Sequence, residues 1–357
     1  NSDDTKYLGK ALSSEEVLID ISHAGTAMRF LTAYFSVQEN REVILTGSER
    51  MQNRPISILV EALRSLGADI SYEKKEGYPP LRIKGTQLNK SRVKIHGNVS
   101  SQYISALLLM APGLKNGLEV ELLGKVTSVP YIKMTLALLS DLGIDYQWNE
   151  NLIVISPKEK IEDSVITVES DWSSASYFYS LVALSKKGKV SLSSYKKDSL
   201  QGDSSLVEIY KHFGVSTEFE DDKILLVKQE LDPKPLELDL SDSPDLAQTI
   251  AVTCFGMGVA CDLTGLHTLK IKETDRLVAL QQELEKLGAD IKVTDKSLHL
   301  RASTCINKDI LIKTYDDHRM AMAFAPLALK VPIQIDDAEV VTKSYTDFWT
   351  DFEGVLV

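Results

Sequence analysis

The chain has 357 residues, 43% of them hydrophobic and 25% charged, which excludes fibrous and disordered classes and exceeds what one ordinary core supports. Its formal net charge is −11 with no basic block, which weighs against a nucleic-acid partner, and no apolar run approaches the roughly 20 residues that cross a bilayer. Three cysteines, Cys254, Cys261 and Cys305, form no CxxC pair; they fit a reducing cytosol and read as small buried hydrophobes.

Residues 3–12 read as a helix behind a polar start. A nearly all-apolar helix, TAMRFLTAYFSV (26–37), follows, then the strand VILTG, then the amphipathic helix of LVEALRSLGADI (59–70), which closes on a glycine before another strand. The same order returns in QYISALLLMAPG (102–113), VELLG and TLALLSDLGIDY (135–146), and again in SASYFYSLVALS (174–185), VSLSS and LVEIYKHFGVST (206–217). LAQTIAVTCFGM (246–257) with LQQELEKLGADI (280–291), and HRMAMAFAPLAL (318–329) with VPIQI, complete the series. The closing glycines Gly67, Gly143, Gly214 and Gly288 stand where a helix C-terminus takes a left-handed residue. The unit is βαβαββ-like, present in about five copies plus a half copy at the start. Grouped three and three, the copies predict two α/β domains, 1–168 with its first repeat incomplete and 169–357 with three repeats.

Helix starts carry the chemistry. Pro55 and Pro130 read as first-turn prolines, and Ser100, Ser101, Ser173, Ser174 and Asp203 read as caps. Yet Arg54, Arg276 and Arg319 also stand at or near helix starts, where the macrodipole disfavours a cation by a few tenths of a kcal/mol unless an anion binds there. Each could simply pair with a neighbouring carboxylate. Three such sites, with the glycine start at Gly25, predict instead a shared polyanionic ligand in an otherwise acidic protein.

HAGTAMRF (23–30), ERMQNRPI (49–56), GNVSSQYISALL (97–108), SVPYI (128–132), SLQGD (199–203), SPDLAQT (243–249), KETDRL (272–277), DDHRMAMA (316–323) and VTKSYTDF (341–348) run in order along the chain. Together they resemble the signature segments of the 5-enolpyruvylshikimate-3-phosphate synthase family. The resemblance implies an inside-out α/β barrel in each domain. It also implies transfer of the enolpyruvyl group of phosphoenolpyruvate to the 5-hydroxyl of shikimate 3-phosphate with release of phosphate, in aromatic amino acid biosynthesis. No cofactor or metal is implied; the partners are the two small molecules, and the expected form is a cytoplasmic monomer.

By motif position, the resemblance assigns Gly25, Arg54, Gln102, Arg276, Arg319 and Lys343 to phosphoenolpyruvate. It assigns Ser100, Ser101, Gln102, Ser128, Asp245 and Lys272 to shikimate 3-phosphate. Asp245 matches the acceptor of the hydroxyl proton and Glu273 the donor toward the methylene carbon, while Tyr131, Asp317 and His318 match supporting positions. On composition alone, Asp245 could equally cap the helix behind it and Glu273 could be a plain charged first turn. His23, Phe30, Thr268 and Ser344 depart from residues common in the family.

The family also carries an N-terminal Gly-Ser-Lys-Ser segment with no counterpart in this sequence, so the chain is expected to be a fragment of low activity. Two alternatives remain open at this point. One is the UDP-N-acetylglucosamine enolpyruvyl transferase, which shares fold and donor; the other is a non-catalytic ligand-binding fold.

Overall fold

A computed structural model describes residues 2–98 and 100–356; Asn1, Val99 of the 97–108 motif and the C-terminal Val357 lie outside the described residues. The chain divides into two compact units, Asn1–Ile166 and Thr167–Val357.

In the first unit the helix Asp3–Ser13 leads into a strand, Leu18–Asp20, and the apolar helix Gly25–Ser36. The strand Glu42–Thr46, the helix Ser57–Leu66 and the strands Asp69–Tyr72 and Leu81–Lys84 follow. The four strands form one sheet in the order first, second, fourth, third. Its first pair is parallel and the remaining pairs are antiparallel. Arg92–His96, Leu118–Leu123, Tyr146–Asn149 and Leu152–Ile155 repeat the same order and polarity, with the helices Ser101–Met110 and Val129–Asp141 between them. The parallel pair needs a helical crossover, which the apolar helix supplies.

Strands such as Arg92–His96 and Leu118–Leu123 alternate buried and accessible residues, whereas the apolar helices are buried on almost every side. Helices therefore fill the interior and sheets face outward, the reverse of a sheet sandwiched by helices. Central helices meet through hydroxyls as well as hydrocarbon: Ser105 Oγ and Thr135 Oγ1 are 2.7 Å apart.

In the second unit the central helices are Trp172–Leu184, Ala247–Met257 and His318–Phe324. A ladder of buried hydroxyls joins the first two, Ser176 to Thr249 at 3.0 Å and Ser180 to Thr253 at 2.8 Å, with Tyr210 reaching Thr253 at 3.0 Å. Satisfied polar contacts of this kind fix register, since a sliding helix would leave several of them unmet.

Among the described residues of this unit, only the middle copy, around Leu236–Asp239, Cys261–Thr264, Ile291–Val293 and Leu298–Leu300, has the full four-stranded sheet. The copy before it has three antiparallel strands, Lys189–Ser193, Val215–Glu220 and Lys223–Lys228. The last has a parallel pair, Ile310–Ile312 with Ile333–Ile335, followed by helical turns in place of a hairpin.

Two local expectations need correction. The helix expected from residue 206 is α-helical only over Leu206–Ile209 and then tightens to a 3₁₀ turn, Tyr210–Phe213. With three residues per turn, Tyr210 and Phe213 eclipse and both enter the core. Cys305 is exposed rather than buried, while Cys254 and Cys261 are buried as expected.

The predicted closing glycines all adopt positive φ, from +70° at Gly214 to +111° at Gly67. Gly117, ahead of Leu118–Leu123, has φ +65°, and a Cβ there would lie 2.1 Å from the Ile155 carbonyl oxygen. That carbonyl cannot retreat, because Ile155 pairs with Leu118 in the sheet. Gly117→Ala should therefore destabilise the protein by about 2 kcal/mol or more, read from its urea midpoint; an unchanged midpoint would contradict this packing.

Candidate active site

The start of each central helix in the second unit places one polar residue against the next. Ser173 opens Trp172–Leu184, Asp245 lies in the 3₁₀ turn Pro244–Leu246 ahead of Ala247–Met257, and Arg319 opens His318–Phe324. Arg319 Nη2 donates to Ser173 Oγ at 3.2 Å and to Asp245 Oδ2 at 3.3 Å, so the helix starts converge.

Arg276 is the centre of the cluster. It is 2% exposed, and its guanidinium meets three carboxylates drawn from separate segments. Nε donates to Asp317 Oδ2 at 2.6 Å, Nη1 to Asp245 Oδ1 at 2.9 Å, and Nη2 to Glu273 Oε2 at 2.7 Å. Lys272 Nζ lies 3.3 Å from Asp245 Oδ1, and Lys343 Nζ donates to Glu273 Oε1. The four sequence-predicted cations of this unit, Lys272, Arg276, Arg319 and Lys343, thus surround both carboxylates named for proton transfer.

Pairing of arginine with carboxylates does occur, but in the interior rather than on a solvated face. Caps fall elsewhere than expected too. Asp245 makes no cap bond to the helix behind it, because its oxygens are taken by the cations. Asp171, not Ser173, caps Trp172–Leu184 by accepting from the Ser173 backbone N–H at 3.0 Å. Asp317 caps its own helix, accepting from the Arg319 N–H at 2.9 Å, and Asp275 does the same for Arg276–Lys286. Asp203 accepts a hydrogen bond from the Ser173 hydroxyl.

Electrostatics sort these carboxylates. Burial pushes Asp245 up, but Lys272, Arg319 and Arg276 outweigh it and hold the group far below the usual carboxylate range. Asp203, 1% exposed, goes the other way: burial, reinforced by the charge of Asp245, lifts it to about 6 against the pull of Arg319 and Ser173. Burial lowers Lys272 despite Asp245. His318 is pushed well down by burial and by Lys343, which keeps it neutral, and its Nδ1 has no hydrogen bond.

The first unit brings together another group. Gly25 begins the helix Gly25–Ser36, and a Cβ on it would lie 2.7 Å from Arg54 Nη1 and 3.0 Å from Arg29 Nη1. The glycine lets two guanidiniums close on a helix N-terminus, a place already suited to anions. Gln102 Nε2 donates to Thr26 Oγ1 at 2.9 Å, which ties the next helix to the same corner. Pro55 precedes its helix rather than entering it, and its carbonyl accepts from Tyr103 Oη at 2.6 Å. Ser100 holds the N-cap position of Ser101–Met110 without a side-chain cap bond. Ser128, 8% exposed, has φ +54° at the head of Val129–Asp141, where Pro130 sits in the first turn and the Tyr131 N–H bonds the Ser128 carbonyl. Positive φ in a non-glycine residue is uncommon and marks a constrained position.

Sequence reasoning missed Arg29, Ser173 and Tyr177 as members of these groups. Arg29, 5% exposed in an apolar helix, was detectable as a cation on a buried face. Tyr177, whose hydroxyl lies 3.4 Å from Arg319 Nη1, gave no signal within its own apolar helix. Among the described residues no group of three or more His, Cys, Asp or Glu is placed to hold a metal, and no helix is long and apolar enough to cross a membrane.

Comparison with solved structures gives the class. EPSP synthase from Acinetobacter baumannii superposes with a TM-score of 0.76 at 23% identity over 95% of this chain and 78% of that one. The enolpyruvyl transferase NikO from Streptomyces tendae gives 0.71 at 16% identity, covering 92% and 76%. The fold is thus the inside-out α/β architecture of enolpyruvyl transferases. Within that class, residues 4–352 match the family model of EPSP synthase (3-phosphoshikimate 1-carboxyvinyltransferase). A Bacteroides fragilis (strain YCH46) 3-phosphoshikimate 1-carboxyvinyltransferase is 48% identical over 352 residues, 98% of this chain and 86% of the relative. The chain belongs to the EPSP synthase family.

Asp203 provides a test of the buried electrostatics. Its folded pKa lies above the unfolded value of about 3.9, so its contribution is most favourable below that value and is lost as pH rises through about 6. The melting temperature of Asp203→Asn minus that of the wild type should be more positive at about pH 7.5 than at about pH 5. A difference that is flat or reversed across this range would contradict the assigned environment.

Proposed function

We propose that this chain's residues carry the transfer of the enolpyruvyl group from phosphoenolpyruvate to the 5-hydroxyl of shikimate 3-phosphate, with release of phosphate. One observation carries the reading: the two carboxylates suited to moving protons, Asp245 and Glu273, are gripped by the same buried guanidinium, amid three further cations. A substrate bearing a phosphate and a carboxylate on three carbons needs such clustered positive charge next to its reacting atoms. Family membership supports the same reaction and disfavours the UDP-N-acetylglucosamine alternative.

In this reading Gly25, Arg54, Gln102, Arg276, Arg319 and Lys343 hold phosphoenolpyruvate. Ser100, Ser101, Gln102, Ser128, Asp245 and Lys272 hold shikimate 3-phosphate. Glu273 delivers a proton to the methylene carbon while the 5-hydroxyl oxygen bonds to C2 and gives its proton to Asp245. Loss of a methyl proton and of phosphate from the tetrahedral adduct then restores the enol ether.

Asp245 as it stands is a poor base, since three cations stabilise its charge. Incoming substrate anions compete for those cations, and each one drawn away raises the basicity of Asp245. The base is therefore strengthened by the binding of its own substrates. Glu273, held by Arg276 and Lys343, is loosened by the same exchange. A cytosolic setting fits the free cysteines.

Arg276→Ala and Arg319→Ala should each weaken phosphoenolpyruvate by about 2–4 kcal/mol, and Lys should rescue poorly. Titration calorimetry reads this, and unchanged donor affinity in both variants would remove the assignment. Asp245→Asn should keep donor affinity within about three-fold while lowering phosphate release at least about 100-fold. Turnover near the wild-type rate would exclude Asp245 as the base.

A further inference from the structure

We propose that Asp203, acting through Ser173, is a positioning residue that sets the Arg319 guanidinium for the donor substrate. The inference rests on the donor role given to Arg319 above. It concerns the segment 199–203, a sequence motif to which the proposed chemistry assigns nothing.

This segment clamps the start of the helix Trp172–Leu184. Gln201 Oε1 accepts from the Trp172 N–H at 2.9 Å, and its Nε2 donates to the Ser170 carbonyl at 2.8 Å. Ser199 Oγ donates to Glu169 Oε2 at 2.7 Å. The 3₁₀ turn Gly202–Ser205 then carries Asp203 beneath the helix, where the Ser173 hydroxyl donates to its Oδ2.

A serine hydroxyl has one proton. With that proton committed to Asp203, the lone pairs of Ser173 are left for Arg319 Nη2, which donates to them at 3.2 Å. Asp203 thereby makes Ser173 an obligate acceptor. The two arginines are held differently. Arg276 has contacts of 2.6, 2.7 and 2.9 Å to three carboxylates. Arg319 has side-chain contacts of 3.2, 3.3 and 3.4 Å, two of them to the neutral hydroxyls of Ser173 and Tyr177. Neutral acceptors fix the direction of the guanidinium without neutralising it, so its charge stays available to an incoming anion.

Among the groups acting on Asp203 are the Asp245 and Asp171 carboxylates, the Arg319 guanidinium and the Ser173 hydroxyl. A buried carboxylate beside two like charges is a poor choice for stability alone, and such perturbed groups cluster at functional sites.

The experiment is steady-state kinetics by phosphate release at saturating shikimate 3-phosphate. It covers the wild type, Ser173→Ala, Asp203→Ala, Asp203→Asn, the double variant Ser173→Ala/Asp203→Ala, and Arg319→Ala. Ser173→Ala and Asp203→Ala should each raise the KM for phosphoenolpyruvate about ten-fold and leave kcat and the acceptor KM within about two-fold, and the double variant should be no worse than either single. Asp203→Asn, whose amide oxygen can still accept from Ser173, should recover part of the loss. It also covers the case in which Asp203→Ala does not fold. Below about pH 6 the wild-type donor KM should rise relative to that of Asp203→Asn, because a protonated Asp203 can turn the Ser173 hydroxyl round; titration of the substrate itself is common to both proteins.

An unchanged donor KM, an additive double variant, or equal effects on donor and acceptor would overturn the proposal. Arg319→Ala separates the two levels. If it raises the donor KM while Asp203→Ala and Asp203→Asn do not, only the positioning role fails. If it leaves the donor KM unchanged, the donor assignment fails and the positioning role falls with it.

Discussion

The rest of the second unit depends on the burial of one guanidinium. Taking Arg276 out of water is costly, and the cost is offset only if ionised acceptors meet it in good geometry. Asp317, Glu273 and Asp245 do so from three places, the start of one central helix, the loop before Arg276 itself, and the turn ahead of another helix. Each carboxylate then has a second duty: Asp317 caps the helix of Arg319, Glu273 holds Lys343, and Asp245 draws in Lys272 and Arg319. Removing Arg276 itself would leave the buried Asp317 carboxylate without its guanidinium, at about 3–5 kcal/mol, so the segments are locked together through it.

That lock makes sense because the fold turns its helices inward. Central helices of similar direction bring their starts to one end of the unit, where unsatisfied N–H groups and dipoles already favour anions. Cations added there would repel one another without carboxylates between them. In the absence of substrate the carboxylates serve that purpose; in the function proposed above, the same groups are released for proton transfer once substrate anions arrive. On that proposal, stability and chemistry draw on one set of interactions in two arrangements.

Much of this was legible in the sequence. The repeat was visible because buried helices need unbroken apolar runs and the amphipathic ones need a glycine to stop. Arg276 and Arg319 stood out as cations at helix starts, and the motifs named Lys272, Asp245 and Glu273. What could not be read was pairing. Arg276 meets Asp245 and Asp317 across 31 and 41 residues, and nothing local says which acid will face which base. Asp203 and Ser173 read as caps in the sequence because the side chains that cap helices are also the ones that bond one another in a core. Tyr177 was hidden in a helix so apolar that its hydroxyl looked incidental. The shortened sheets of the second unit were equally illegible, since a strand is kept or lost by its neighbours rather than by its own residues.

A crystal structure of the protein with phosphoenolpyruvate and shikimate 3-phosphate bound tests the central claim most directly. Donor anion oxygens should lie within hydrogen-bond distance of Arg276, Arg319 and Lys343, and the Arg319–Asp245 contact, now 3.3 Å, should open as Asp245 turns to the 5-hydroxyl. Donor density remote from these cations, or an Arg319–Asp245 pair left intact beside a bound donor, would contradict it.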